Sequence, residues 1–450
     1  MTPALLSVRF GTGLSPTIPA PEGPDEVLAR LTGPDAAARA VPQPGWEPKV
    51  AEVLELVRLR KAARDDAGEE AQEAVRTATR ASAEGFHRDL GRTLERAATT
   101  ADGFRERLWW FWADHFAVAD GSGLLRRTTV GYHEDALRPR MAGPFGDLLV
   151  AATTHPAMLT YLDQSRSVGP NSKVGRRGGG LNENLAREVL ELHSLGVRGG
   201  YDQTDVRSLA ELLTGLSVDR TGLTVFRENR AEPGAEVILG QSYGGDPARR
   251  SDIEAALQDI AVHPDTARHL SGKLARHFVA DDPPGDLIDA MVAAWRRTDG
   301  HLREVYRAML EHPAARDPEL RKVRRPLDLL AAGMRALGLG AGLGEAGIRR
   351  IRMAATAPLA RMGQDWQRPP GPQGWPEAAE AWITPQGLAA RIEWAMATAR
   401  DLTDPPDPRA FVEGALGPLA RDATRFAAGA AETRADGVAL VLAGPEFQRR

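Results

Sequence analysis

A chain of 450 residues with a formal net charge of −4 is long enough to bury a large core, and its length predicts two or three domains. The slightly negative charge argues against a general nucleic-acid binder, which needs a basic surface. The absence of cysteine excludes disulfides, thiolate metal sites and a cysteine nucleophile.

Leu, Ala, Arg and Glu dominate, which favours helix. The expected fold is therefore mainly α: a multi-helix globular protein with one small β-hairpin near residues 216–240. Three regions are expected. Residues 1–100 form an N-terminal segment with a charged helical hairpin, 101–316 a central helical core, and 317–450 a C-terminal helical region with a Pro/Gly/Trp loop. The opening residues lack a basic stretch and their apolar run ends at Arg9, so no signal peptide is read. No apolar run approaches a membrane span. The expected location is cytoplasmic, with co-export beside a partner left open.

Residues 1–46 predict one short helix, about Asp25 to Leu31, amid proline and glycine. From Glu47 to Thr99 the pattern is helical and heavily charged, with Val50, Val53, Leu54, Val57 and Leu59 as the apolar stripe. Alternating charges over Glu69 to Arg80 indicate a solvated, projecting hairpin. Phe104 to Ala119 is amphipathic; Phe104, Leu108, Phe111, Trp112, His115 and Phe116 share one face. His115 reads as a satisfied core histidine before it reads as a ligand. Helices restart at His155-Pro156, His263-Pro264 and His312-Pro313, because proline is tolerated at the first helical position.

The stretch from Gly178 to Val206 is the most ordered local grammar in the chain. A glycine-rich loop leads into a helix over Leu181 to Leu195, with Asn182 as its N-cap and Gly196 as its stop. Leu181, Leu185, Leu192 and Leu195 form the apolar face, flanked by Val189 and Leu190. Asn184, Glu188 and Glu191 share a polar stripe, and Glu183 can pair with Arg187. Glu188, Glu191 and His193 could be taken for a metal set, but Glu191 and His193 are two apart and diverge on a helix. A polar network of Asn184, Arg187, Glu188, Glu191, His193 and His115 is the better expectation, with no metal and no cofactor. Arg187 and Glu188 are expected to matter for stability. Lys173, Arg176 and Arg177, with Gly179, Gly180 and Asn182, form a candidate anion-binding loop at a helix N-terminus.

This stretch resembles a bacterial family catalogued as domain of unknown function 1800. The resemblance rests on Asn182-Glu183-Asn184-Leu185-Ala186-Arg187-Glu188, Glu191-Leu192-His193-Ser194-Leu195-Gly196 and Gly200-Tyr201-Asp202-Gln203-Thr204-Asp205-Val206. Further matching segments are Phe111 to Phe116, His155 to Leu159, Ala275 to Val279, Gly374 to Pro376 and Pro445 to Phe447. The family accepts Phe where this chain has His193, and it often has a His-Asp-Pro-Gly turn where this chain has Ala231-Glu232-Pro233-Gly234. The resemblance implies no activity. It implies a partner from a second, sulfatase-like family of unknown function numbered 1501, encoded nearby and often carrying a twin-arginine signal.

After the central stretch, Asp202 caps a helix to Leu216, and a hairpin is expected around Pro233-Gly234. Gly240-Gln241-Ser242-Tyr243-Gly244 fits a nucleophile elbow, but no run of βα units supports one. Gly342 to Gly347 fits G-x-G-x-x-G but follows a helix, so it reads as a link. Trp366, Trp375 and Trp382 are expected to close a core beneath their loop. The leading expectation for function is a soluble helical binding or assembly protein acting with a partner. The alternative is a hydrolase with an anion or metal site around Arg177, Asn182, Glu188 and His193.

Overall fold

Proline at the first helical position, preceded by a side-chain acceptor, decides where many of the helices begin. A computed structural model describes residues 1–65, 68–119 and 125–450. Thr2 caps α1 (Pro3–Arg9), Gly23 precedes α2 (Pro24–Thr32), and Asp35 caps α3 (Ala36–Ala40). Three helices thus stand where the sequence predicts one, because α1 and α3 are too short to show a period. The charged hairpin is α4 (Trp46–Asp65) packed on α5 (Glu69–Thr99). Its stripe differs from the expected one: Val50 and Leu56 are buried, whereas Leu54 and Val57 are exposed.

α6 (Gly103–His115) starts at Asp102, whose carboxylate accepts from the Arg105 amide. Its Phe104, Leu108, Phe111 and Trp112 lie in the first of two hydrophobic cores. α7 (Thr129–Tyr132) runs into a π-helical turn, His133–Leu137. α8 (Phe145–Thr153) and α9 (Pro156–Tyr161) are divided by His155, whose Nδ1 accepts the Ala157 amide at 3.2 Å. His263 and His312 cap the turns after them in the same way, also at 3.2 Å.

The central helix is not continuous. α10 (Asn184–Glu188) becomes a π-helical turn, Val189–His193. This extra residue per turn rotates the apolar face: Leu185, Val189, Leu190 and Leu195 are buried, while Leu181 and Leu192 are only half-buried. α11 (Gln203–Leu212) begins with a reciprocal capping box between Asp202 and Asp205.

Strand structure is two hairpins and not one. β1 (Leu216–Val218) pairs antiparallel with β2 (Thr224–Phe226), Ser217 opposite Val225. β3 (Gly234–Ile238) pairs antiparallel with β4 (Gln241–Gly245), Val237 opposite Ser242. The turn of the second lies at Leu239-Gly240, not at Pro233-Gly234. Both turn residues have positive φ, 51° and 78°, the geometry whose twist suits a two-residue hairpin. Ser242 sits exposed on the return strand, so it is no nucleophile elbow.

α12 (Arg250–Val262), α13 (Pro264–Phe278), α14 (Gly285–Arg297) and α15 (Leu302–Glu311) pack in succession. α16 (Pro326–Ala336) opens the second core. It continues through α17 (Ile348–Ile351), α18 (Ala357–Arg361), α19 (Pro385–Arg400) and α20 (Pro408–Ala415). α21 (Asp422–Gly429), α22 (Arg434–Ala443) and α23 (Pro445–Gln448) complete it. The first core draws on residues from Leu6 to Ala315 and the second on Phe86 to Ala98, Val130 and Leu327 to Phe447. The N-terminal hundred residues are therefore shared between both cores. The Gly342–Gly347 loop is occupied internally: the Gly342 and Gly344 amides donate to the Glu95 carboxylate at 2.6 and 2.9 Å. Among the described residues, no helix is long and apolar enough to cross a membrane.

Charge is buried between α6 and the turn after α7. Glu106 is fully buried and its carboxylate accepts both Nη groups of Arg138, which also grips Asp35 through Nε at 2.6 Å. Breaking such a pair from one side strands an uncompensated charge. Arg138→Ala is expected to cost about 3 to 5 kcal/mol in a urea titration; a loss below about 1 kcal/mol, the range of a surface pair, would contradict the arrangement.

Candidate functional site

The sequence-predicted residues fall into three places. Lys173, Arg176, Arg177, Gly179 and Gly180 are exposed, before, on and after a short 3-10 turn, Gly175–Arg177. Two amides of the following segment are already taken: Asn182 N–H donates to Ser167 Oγ at 3.0 Å, and Asn184 N–H to Asn182 Oδ1 at 2.8 Å. The N-cap position is held by Glu183, which makes no side-chain cap, and not by Asn182 as the sequence predicts; Asn182, one residue earlier, accepts the Asn184 amide. The α-helix behind it is only five residues long.

The second place is a surface network. Arg187 reaches Glu183 at 3.2 Å, Glu191 at 3.3 Å and Gln203 at 2.9 Å. Its side chain is 39% exposed, so these pairs contribute little each. Asn184 is exposed and Glu188 half-buried. Burial first, then Glu191, pushes the Glu188 carboxyl up. Arg187 pairs with Glu183 and Glu191 and not with its neighbour Glu188, so the large stability effect expected of Arg187 and Glu188 is not supported by their setting.

The third place is interior and unites His193 and His115 with residues that the sequence reading missed. Three residues beyond the π turn stands Gly196, φ 87°, where an added Cβ would meet the His269 ring at 2.6 Å; only glycine fits both demands. A helix end leaves carbonyls without intrahelical partners, and side chains take them here. The His269 ring reaches the Leu192 carbonyl from Nε2 at 3.3 Å, and the His115 ring reaches the His193 carbonyl from Nε2 at 3.2 Å. His115 Nδ1 is then left as an acceptor, and Lys273 Nζ donates to it at 2.8 Å. His269, Lys273 and His277 follow one another at four-residue steps along α13, so they share a face.

Lys273 lines a cleft of about 610 Å³ with Arg276, His115, Asp114, Trp375 and Glu377. Burial lowers the Lys273 ammonium to about 8; Asp114 and Glu377 oppose the shift, while Arg325 and Arg276 assist it. Beside the cleft is a buried ionic cluster. Arg325 holds Asp114 at 2.7 Å and also Glu377. Glu377 accepts from His277 Nδ1 at 2.6 Å, and Arg107 donates to His277 Nε2 at 3.0 Å. Lys322 binds Asp281 and reaches Glu377 at 3.3 Å. Burial would raise the Glu377 carboxyl, but Arg325, His277 and Lys322 outweigh it and hold it well below the usual range. Among the described residues, Lys273 and Arg276 make no ion pair with a carboxylate. The three acids of the cluster are engaged by Arg325 and Lys322, so the cleft wall keeps a surplus of positive charge.

The tryptophan loop closes this site. Trp366 and Trp382 are buried and Trp375 is half-buried at the cleft, its ring 5.9 Å from that of Trp382. Trp375 N–H donates to Asp114 Oδ1 at 2.7 Å. A narrower cavity of about 80 Å³ lies on the other side of Asp114 and Trp375, lined by Trp109, Trp110, Trp366 and His133. Among the described residues, no group of three or more His, Asp or Glu is placed to hold a metal ion.

Three of the segments that carried the family resemblance meet here: Phe111 to Phe116 supplies Asp114 and His115, Ala275 to Val279 supplies Arg276 and His277, and Gly374 to Pro376 supplies Trp375; His155 to Leu159 and Pro445 to Phe447 lie elsewhere. The family described as "Protein of unknown function (DUF1800)" matches residues 6–449, nearly the whole chain, and the chain belongs to it. No curated protein and no solved structure matches the chain.

His193 is fully buried, and neither ring nitrogen has a hydrogen-bond partner among the described residues. Burial first, then Lys273 and His269, lowers its pKa to about 3. The unfolded chain takes up this proton below about pH 6.5 and the folded chain does not. The stability is therefore complete above that pH and is lost as pH falls towards the folded value, by about 1.4 kcal/mol per pH unit. His193→Phe keeps the ring contact with Phe116, 5.1 Å between centroids, and removes the titration. Its melting temperature is expected to match the parent's or exceed it near neutrality, and to fall less on acidification to about pH 5. A parallel fall in both proteins would show that the imidazole is not held neutral.

Proposed function

We propose that the protein is a helical binding protein whose cleft receives an anionic group from a ligand or partner on Lys273 and Arg276. The observation that carries this reading is the surplus cation: both side chains line the cleft without a carboxylate ion pair among the described residues, while Arg325 and Lys322 neutralise Asp114, Glu377 and Asp281. Arg276 adds directional N–H donors, and the half-buried setting of Lys273 weakens screening by water. The exposed face of α19 supports action with a partner protein. Leu388, Ile392 and Met396 are 41%, 40% and 38% exposed at four-residue steps, an apolar stripe that a solvated helix does not need. A sulfatase-like partner, as the family resemblance implies, is the first protein to test against that face. The hydrolase reading built on Arg177, Asn182, Glu188 and His193 is less well supported, since His193 is fully enclosed while Arg177 is exposed.

Succinate and phosphate titrated at low ionic strength are expected to raise the melting temperature. A ligand at about a hundredfold above its Kd stabilises by about 2.7 kcal/mol. The response should vanish in Lys273→Met/Arg276→Ala and persist in Arg176→Ala/Arg177→Ala. The reverse pattern would move the anion site to the glycine loop and refute the cleft.

A further inference from the structure

Binding an anion does not require the particular setting of Lys273. A lysine that only meets an anion does so as a hydrated point charge on a flexible stem. Lys273 is instead pinned. Its Nζ donates to His115 Nδ1 at 2.8 Å, and the His115 ring is fixed from behind by the His193 carbonyl, 3.2 Å from Nε2. Amine, ring and ring-orienting group stand in series, as they do around activated nucleophiles. The amine opens into a cleft that also holds Arg276, one helical turn further along α13, and the half-buried Trp375.

We propose that Lys273 captures a carbonyl: it condenses with a small α-oxo acid in the cleft to form an imine. The assignment rests on the anion-binding reading, since Arg276 takes the carboxylate, and deepens it by naming the chemical class of the ligand and a covalent bond. The uncharged amine attacks the carbonyl carbon, the C–N bond forms, and the carbonyl π pair moves to oxygen. The nitrogen gives up its protons and the oxygen gains them, so the carbinolamine loses one water to leave C=N. No oxidant or reductant enters. The carboxylate beside the carbonyl is what separates this ligand class from a simple aldehyde, because Arg276 can bind it while the carbonyl faces Lys273.

The environment of the amine supports the chemistry. With its pKa brought to about 8 by burial, Lys273 keeps far more free amine near neutral pH than an exposed lysine does. The other lysines provide internal comparison. Lys49 and Lys322 are buried in ion pairs with Asp89 and Asp281, whereas Lys61 and Lys173 are exposed.

The test is reductive trapping on the full chain near neutral pH, with cyanoborohydride and either glyoxylate or propionaldehyde, followed by peptide mass mapping. With glyoxylate, Lys273 is expected to be modified about tenfold faster than Lys61 and Lys173, its larger free-amine fraction being partly offset by lower intrinsic nucleophilicity. Succinate should slow it, and propionaldehyde should show a smaller preference for Lys273. Lys273→Arg should lose the adduct, whereas Arg176→Ala/Arg177→Ala, on the exposed glycine loop, should keep both the adduct and the stabilisation by succinate. Modification of Lys273 no faster than Lys61 overturns carbonyl capture, and an intact succinate response in the same protein would leave the anion-binding reading standing. Equal preference for Lys273 with glyoxylate and propionaldehyde, without a succinate response, overturns both the α-oxo acid assignment and the anion-binding reading.

Discussion

The arrangement of the cleft depends on one buried guanidinium. Arg325 lies just before Pro326 at the start of α16, and it holds Asp114 at the end of α6 and Glu377 in the tryptophan loop. A charge taken out of water is costly unless it is paired and hydrogen-bonded. Arg325 therefore constrains three elements at once, since withdrawal of either acid would leave it undercompensated in a low-dielectric interior. The attraction of Asp114 and Glu377 holds the guanidinium above its ordinary pKa against the effect of burial. The same contacts join the two cores, because α6 belongs to the first and α16 to the second.

The π turn of the central helix is the second constraint. An uninterrupted α-helix would present its last carbonyls along its own axis. Here the Leu192 and His193 carbonyls face α13 and α6 and hold His269 and His115. Gly374 does a similar job in the tryptophan loop. Its φ is 76°, and a Cβ there would run into the Asp114 carbonyl oxygen, so the loop approaches α6 closely enough for the Trp375 amide to reach the Asp114 carboxylate. Local backbone irregularity at two places thus positions the groups around one cleft, which fits the common association of π turns with functional sites.

Much of the fold was legible in the sequence because it is governed by local rules. The three His-Pro restarts, the Asp202 cap, the Gly196 stop and the charged α4–α5 hairpin each follow from a few neighbouring residues. Errors arose where local signals were weak or ambiguous. α1 and α3 are too short for periodicity to appear. Pro233-Gly234 has the composition of a turn, but Leu239-Gly240 is the pair that takes up the positive φ values. The π turn is indistinguishable from α-helix in the sequence because its apolar residues keep a nearly helical spacing.

The site was less legible than the fold, because its parts come from segments far apart in the chain. Lys273 lies on an amphipathic helix, where a lone lysine reads as surface charge; burial in the tertiary fold lowers its pKa, and His115 fixes its amine. Asp114, Arg276 and His277 lie in or beside helices where each has an ordinary structural reading. The available signal lay in three of the short matching segments, Phe111 to Phe116, Ala275 to Val279 and Gly374 to Pro376, which the fold brings together. Arginine at 273 would keep the charge but not the reactivity, since its guanidinium stays protonated throughout the ordinary pH range. Lysine is the cation whose charge burial can tune, and position 273 supplies the burial, the acceptor and the open cleft that such tuning requires.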